Sequence, residues 1–129
     1  MPIRSLDLVK ALDPDLRDLK KVVSKFGDKV VCYTFSLEAT SPDAAVHARG
    51  FAADLGLEDP ATGSAAGACA AYLTAHGQLP APTFIVEQGM EIHHASRIEV
   101  SVVAEDGKAK VIRVGGQSVP LIHGQLRLP

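Results

Sequence analysis

The sequence is poor in the features that mark specialised classes of protein. It has no tryptophan, two cysteines and no excess of basic residues, and its formal net charge is −2 at pH 7. Without a basic cluster or a ladder of aromatic side chains, the chain offers no electrostatic surface for nucleic acid, and we expect no nucleic-acid partner. Cys32 and Cys69 are too few and too far apart for a disulfide framework or a CxxC motif. We expect reduced thiols that pack as small apolar side chains.

Long apolar runs are also missing. No stretch approaches the roughly 18 continuous apolar residues of a transmembrane helix, and the first ten residues, MPIRSLDLVK, lack the apolar centre of a signal peptide. We therefore expect a cytoplasmic protein with no membrane partner. The 129 residues, 47% of them hydrophobic, are enough to bury one core, so residues 1–129 are expected to form a single domain.

Two short helices are predicted at the start of the chain. Ser5 is a candidate N-cap for a helix within Ile3–Leu12. Asp13 followed by Pro14 is typical of a cap with proline at the first helical position, and apolar residues then recur at helical spacing until Gly27.

Most of the remaining chain is typical of β-structure. The predicted strands are Val30–Ser36, Ala44–Phe51, Thr83–Glu87, Arg97–Ala104, Lys108–Val114 and Ser118–Leu126. Asp106-Gly107 predicts a two-residue hairpin. The second strand alternates and places His47 and Arg49 on one face, and the isolated histidines His47, His76 and His123 are expected to face solvent or to lie at helix ends. The mixed order of elements favours an α+β fold.

The most informative stretch is Glu58–Leu73, EDPATGSAAGACAAYL. From Ala65 onward it predicts a helix that is small or apolar on nearly every face, which must be buried and which lets a sheet approach closely. Thr62, Gly63 and Ser64 fall in its first turn, where backbone N–H groups have no partner within the helix and the dipole favours negative charge.

These residues alone leave two interpretations open. Thr62 or Ser64 could simply cap the helix, with Glu58 and Asp59 complementing its dipole. Alternatively, the turn forms a cradle for a carboxylate or phosphate, in which Gly63 lets the ligand approach and Ser64 adds a hydroxyl donor. Four acids and hydroxyls within seven residues are more than a cap needs.

The same stretch closely resembles the signature of the phenazine-biosynthesis PhzF-like family, whose fold is that of diaminopimelate epimerase. The resemblance extends through VHARGFAADLGLEDPATGSAAG, QGMEIHHASRIEV and the closing VIRVGGQSVPLIHGQLRL. It implies one lobe of a two-lobed protein, in which each lobe is a mostly antiparallel sheet curled around a central helix and the active site lies between the lobes. This chain is similar to the C-terminal lobe.

The resemblance also implies roles for particular residues. Asp59 and Ser64 are the candidate catalytic residues, and Thr62, Gly63 and Ser64 are the candidate substrate-binding residues. They would bind a small carboxylate substrate and help to move a proton without a cofactor. The family's principal acid/base glutamate belongs to the other lobe, and no stretch here resembles that lobe's Gly-Asn-Pro segment. A homodimer or a separate N-terminal-lobe partner would have to complete the site.

Two weaker candidates complete the set. Arg49 could reach the cleft, or it could pair with Glu58 or Asp54. Relatives typically read Gly-Arg-Pro-Ser where this chain has His93-His94-Ala95-Ser96, so His94 is a further candidate near the cleft, against the alternative of exposed loop histidines. Adjacent histidines on a strand point to opposite faces, which is poor geometry for a metal, and no metal is expected.

The rival hypothesis is a non-catalytic anion-binding lobe, fragment or remnant.

Overall fold

A computed structural model describes residues 1–27 and 30–127. The helices are α1 (Leu6–Lys10), α2 (Leu16–Val23), followed by a 3-10 turn at Ser24–Phe26, and α3 (Gly63–Ala75). The strands are β1 (Cys32–Ser36), β2 (Val46–Ala52), β3 (Leu57–Asp59), β4 (Thr83–Gln88), β5 (Ser96–Glu105) and β6 (Lys108–Gly115). No helix within these two ranges is both long and apolar enough to cross a membrane.

The six strands form one curled sheet in the order β1-β2-β4-β5-β6, with β3 paired to β2 on the edge opposite β1, next to the part of β2 that pairs with β4. The β2–β4 pair is parallel, and the other pairs are antiparallel. Helix α3 packs against β5 and β6 on the concave side of the sheet, which we call the inner face. This arrangement confirms the prediction of an α+β fold with a mostly antiparallel sheet around a central helix.

The hydrophobic core lies between α3 and the inner face. Its largest buried side chains are those of Tyr33, Phe35, Val46, Leu73, Phe84, Val86, Ile98, Val100 and Val102. Cys69 is also buried there, and burial raises the pKa of its thiol to about 12. The expectation of an unreactive packed thiol is therefore confirmed for Cys69, whereas Cys32 at the start of β1 is only partly buried.

Helix α3 is not buried on all sides, contrary to the expectation from its composition. Ser64, Ala68, Tyr72 and Ala75, spaced three or four residues apart, form an exposed stripe. The reason is that the described sheet curls around only part of the helix circumference. The small residues still serve the expected purpose on the packed side, where Gly67 lies against Val114: a Cβ at that glycine would sit 3.4 Å from a valine methyl group.

Strand β2 departs from the predicted alternation of buried and exposed side chains. All seven of its residues are buried, because α1 covers part of the outer face of the sheet. His47 is fully buried, so the expectation that it faces solvent or lies at a helix end is wrong. The cause is a set of charged side chains that pair with one another on the outer face, so that these polar groups do not need water as a hydrogen-bond partner. His76, at the end of α3, and His123 are exposed as expected.

The ends of several elements also differ from the predictions. Ser5 caps α1 as expected, but Asp15, not Asp13, caps α2, because its carboxylate accepts hydrogen bonds from the amides of Arg17 and Asp18. The Asp106-Gly107 hairpin is confirmed, with φ of 51° and 71° at its two central residues.

The predicted final strand, Ser118–Leu126, is absent. Residues 117–127 are exposed and pair with no strand among the described residues, and a strand needs a paired edge to persist. The short strand β3 was not predicted, since three residues carry too little pattern to be recognised.

Candidate active site

The N-terminus of α3 has no side-chain cap. Thr62 occupies the N-cap position, but its hydroxyl donates to Asp59 Oδ2 at 2.7 Å instead of accepting from the helix. Ser64 lies within the first turn and is exposed. Among residues 1–27 and 30–127, no acceptor is found for the amides of Gly63, Ser64 and Ala65. These three N–H groups and the positive end of the helix dipole therefore remain open to an anion.

A buried glutamine fixes the turn that precedes the helix. Gln88, at the end of β4, is fully buried, and its side-chain oxygen accepts from the Thr62 amide at 3.2 Å and from the Tyr33 hydroxyl at 3.1 Å. Its nitrogen donates to the Asp59 carbonyl at 2.6 Å and to the Thr62 hydroxyl at 2.9 Å. These four bonds use both N–H groups of the amide nitrogen and both lone pairs of the amide oxygen. They link the turn to β1 through Tyr33 and to β4 through Gln88 itself, so both strands hold the turn.

Sequence reasoning gave Gln88 no role, although this residue opens the segment QGMEIHHASRIEV that carries the resemblance. The available signal was a glutamine at the end of a β-pattern, TFIVEQ, directly before a glycine. Read alone, that residue is typical of a strand leaving the core for solvent. Its partners, Tyr33 and Thr62, lie 55 and 26 residues away in sequence, so no local pattern links them.

Gly50 leaves the room that this network needs. It lies opposite Asp59 in the β2–β3 pair, and a Cβ at this position would sit 2.7 Å from Thr62 Oγ1 and 3.0 Å from Gln88 Nε2. Real Cβ atoms do not approach other atoms so closely. Glycine is therefore required here for lack of space and not for an unusual backbone conformation.

The tyrosine in the network is held neutral. Burial raises the pKa of the Tyr33 hydroxyl far above its ordinary value, and the nearby Cys69 and Asp59 raise it further. A neutral phenol keeps its proton and donates it in the hydrogen bond to Gln88. The carboxylate in the network at the inner face is that of Asp59, which is partly buried beside the open helix terminus.

A cleft of about 740 Å³ opens at this end of α3. Its walls come from the start of the helix, from β5 and from the end of β6. The lining residues include Ala61, Gly63, Ser96, Arg97, Val114 and Gly116. Of the predicted site residues, Gly63 lines the cleft, Asp59 ends β3, and Thr62 and Ser64 flank Gly63 at the start of α3. The structure thus brings these four residues together, with Thr62 in a supporting position because its hydroxyl is already bonded.

Arg49 lies on the opposite face of the sheet. Its Nε and Nη2 donate to the two carboxylate oxygens of Glu58 at 2.9 and 2.7 Å, and these bonds raise the pKa of the guanidinium. Its Nη1 donates to the carbonyls of Val9, Lys10 and Leu12, so it also holds the end of α1. This geometry corresponds to the second alternative for Arg49, the ion pair with Glu58. Arg49 therefore lies outside the proposed substrate site.

His94 lies in the exposed turn between β4 and β5, with His93 beside it at φ 59°. Neither ring lines the cleft, whose wall begins at the next residue, Ala95. In the described part of the chain, no group of three or more His, Cys, Asp or Glu side chains is arranged to hold a metal ion.

With this geometry in place, comparisons with known proteins are informative. The sequence profile of the family described as phenazine biosynthesis-like protein matches residues 1–124. The chain belongs to this family. It is 32% identical over 117 residues to a Bacillus subtilis protein named uncharacterized isomerase YfhB, covering 89% of this chain and 40% of that protein. It is 35% identical over 100 residues to a Mesorhizobium japonicum protein also named as an uncharacterized isomerase, covering 73% of this chain and 32% of that protein.

A solved structure shares the fold. The crystal structure of a Bacillus anthracis phenazine biosynthesis protein of the PhzF family superposes with a TM-score of 0.74 at 26% identity, covering 89% of this chain and 40% of that one. The prediction of PhzF-like family membership is confirmed. The chain spans about 40% of the length of the first of these relatives and of this structure.

Proposed function

We propose that this chain supplies one wall of the active site of a PhzF-like isomerase, which moves a proton on a small carboxylate without a cofactor. The observation that carries the proposal is the uncapped N-terminus of α3. Three backbone amides lack acceptors within the described residues, and a carboxylate, Asp59, stands next to them. The names of the relatives as isomerases support the same reaction class.

In this proposal, the amides at Gly63 and Ser64 bind the substrate carboxylate, and the Ser64 hydroxyl adds a donor. Bound there, the carboxylate carries more negative charge when the neighbouring carbon loses its proton, and fixed N–H dipoles stabilise that charge. Asp59 is placed to transfer a proton because it is partly buried and fixed by Thr62. An acid/base group on the opposite side of the cleft would complete the transfer.

The second wall must come from another lobe, either a separate polypeptide or a second copy of this chain. Two observations support a missing neighbour: no strand among the described residues pairs with the outer edge of β6, and apolar side chains beyond it are exposed. These are Val119, Leu121, Ile122 and Leu126, at 78%, 90%, 93% and 87% exposure. A free sheet edge next to exposed apolar side chains favours association.

The binding half of the proposal is tested with acetate, followed by amide NMR shifts. We expect saturable shifts at Gly63, Ser64 and Ala65, which chloride at equal ionic strength does not reproduce. The catalytic half is tested in D₂O with a panel of small amino and hydroxy acids, with and without a co-expressed candidate N-terminal lobe. We expect deuterium at the carbon next to the carboxyl group, and none with Asp59→Asn.

Sedimentation equilibrium decides which assembly is relevant. A homodimer or a tight complex with the second lobe supports an isomerase. A strict monomer that binds acetate but exchanges no substrate proton favours the alternative of a non-catalytic anion-binding lobe. Absence of acetate binding at the α3 amides overturns both.

A further inference from the structure

A second polar cluster is buried on the outer face of the sheet, and the proposed reaction does not use it. We call it the outer cluster; it comprises His47, Arg49, Glu58, Glu87 and Glu91. The side chains are between 0% and 14% exposed. Three carboxylates therefore meet one guanidinium and one imidazole in an almost dry environment, where an unbalanced charge is costly.

His47 lies between two of the carboxylates. Its Nδ1 is 2.6 Å from Glu87 Oε1, and its Nε2 is 3.0 Å from Glu91 Oε1. An ionised carboxylate only accepts hydrogen bonds, so both ring nitrogens must carry protons to bond on both sides. With Glu87 and Glu91 both ionised, this geometry corresponds to the imidazolium form, which also brings the cluster closer to electrical neutrality.

Glu87 is the fixed end of this arrangement. Its carboxylate accepts from the amides of Thr40 and Ser41 at 2.6 and 2.9 Å as well as from His47. Burial alone would raise the pKa of Glu87, but the bonds from His47, Thr40 and Ser41 lower it to about 2. Glu87 is thus ionised and immobile at neutral pH, and His47 is anchored to β4.

Glu91 is the other end of this arrangement. It lies in the turn 89–95 between β4 and β5, which continues into the cleft-lining residues from Ala95 onward. The turn also presses on the segment that precedes α3, because a Cβ at Gly89 would sit 2.9 Å from the Pro60 carbonyl oxygen. The other oxygen of Glu91, Oε2, lies 3.9 Å from Arg49 Nε and has no hydrogen-bond partner in the described residues. His47 therefore supplies the hydrogen bond found at this carboxylate.

Arg49 connects the same cluster to the other side of the cleft. Its two-point bond to Glu58 fixes β3 one residue before Asp59, the carboxylate of the inner face. Two segments meet at the cleft: β3 with its following turn, and the turn 89–95. Each is bonded on the outer face of the sheet to a residue of β2, Arg49 for β3 and His47 for the turn 89–95.

We propose that His47, as an imidazolium, is a positioning residue that fixes the turn 89–95 against the cleft through Glu91. The charged groups that face it are Glu87 from β4, Glu91 from the turn, and Arg49 and Glu58 beside it on β2 and β3; Asp13 lies near Arg49 beyond α1. Removing either of its two N–H donors would release the turn. The cleft is a binding site only if the proposed function holds, but the order of this turn can be measured without any ligand.

The first test uses Glu91→Ala in the full chain, with the exposed Glu105→Ala as its matched control. Hydrogen exchange is followed at the amides of His93 and His94, which donate to Met90 and Gly89 within the turn, and at Leu73 in the core. We expect at least tenfold faster exchange in the turn than in the control, with a smaller change at Leu73. Equal acceleration of turn and core, or no acceleration of the turn, overturns the proposal.

The second test uses the unaltered chain and does not depend on a variant that folds. Nitrogen NMR of the imidazoles, with each ring assigned through its own Cβ and backbone resonances, reports the protonation of each ring nitrogen. We expect both ring nitrogens of His47 to carry protons at neutral pH. A neutral His47 at neutral pH contradicts the proposal.

Discussion

Strand β2 separates two polar clusters of opposite character. On the inner face, Gly50 leaves room for a network centred on a neutral amide, Gln88, and next to it three helix amides have no acceptor in the described residues. On the outer face, His47 and Arg49 hold three carboxylates in a closed set of charge pairs. One region is poor in charge and open, whereas the other is rich in charge and sealed.

Buried polar groups have two different uses in this small fold. A carboxylate site gains little if strong local charges already satisfy its donors, so the inner network uses neutral groups and leaves N–H groups free. Holding segments of chain together calls for strong, directional bonds, and charged pairs at the outer face supply them. Substitutions in the outer cluster should therefore act on stability, and those at the inner site should act on binding.

The largest effect is expected from Arg49→Ala. It removes both bonds to Glu58 and all three bonds to the end of α1, and it leaves Glu58 as an uncompensated buried charge. The loss of unfolding free energy should be about 3–5 kcal/mol, measured by urea denaturation. The exposed Arg113→Ala is the control and should change stability by less than about 0.5 kcal/mol. Similar values for the two variants would show that the outer cluster does not hold the fold.

The second prediction concerns acid unfolding. The folded-state pKa of Glu87 is lowered from 4.5 to about 2, so its stabilising contribution is present above pH 4.5 and is lost as the pH falls toward 2. The contribution amounts to about 3 kcal/mol, which follows from the size of the shift. Unfolding free energies measured between pH 5 and pH 2 should fall less steeply for Glu87→Gln than for the unaltered chain. Parallel curves would contradict the assignment.

The third prediction breaks the inner network by steric means. Gly50→Ala places a methyl group against Thr62 and Gln88, so one of them must move, at a cost of about 1–3 kcal/mol. Gly124→Ala is the matched control because a Cβ there has no atom within 4 Å and the residue is not part of the cleft wall. Thermal unfolding measures the cost, and acetate titration measures the damage to the site. An undisturbed Gly50→Ala variant would mean that the turn before α3 is not packed as tightly as the structure indicates.

The sequence was informative about elements with long, regular patterns and about the residues near α3. Five of the six predicted strands, the Asp106-Gly107 hairpin and the position of Gly63 at the start of the helix were recognisable, because periodicity and turn chemistry are local. The strand predicted for 118–126 had a suitable pattern but finds no partner within the described residues. Whether a segment forms a strand depends on a neighbouring strand to pair with, and not on its own sequence pattern alone.

The outer cluster could not be predicted for a different reason. His47 and Arg49 alternate with apolar residues, which is the pattern of a half-exposed strand, and only the position of α1 and of the turn 89–95 shows that both are buried. Their partners lie up to 44 residues away in sequence. The same holds for Gln88 on the inner face. Polar residues whose role depends on distant partners leave no local signal.

The smallest effect on stability, with the sharpest effect on function, is expected from Asp59→Asn. The amide oxygen can still accept the hydroxyl of Thr62, and the backbone carbonyl of residue 59 still accepts from Gln88, so unfolding free energy should change by about 1 kcal/mol or less. Proton transfer should nevertheless be lost, because an amide does not exchange protons as a carboxylate does. Acetate should bind at least as well, since a negative charge beside the α3 amides has been removed. If instead this variant unfolds as readily as Arg49→Ala, Asp59 stabilises the fold. The inner face of β2 would then contribute to stability as the outer face does, and the proposed difference between the two faces would be wrong at Asp59.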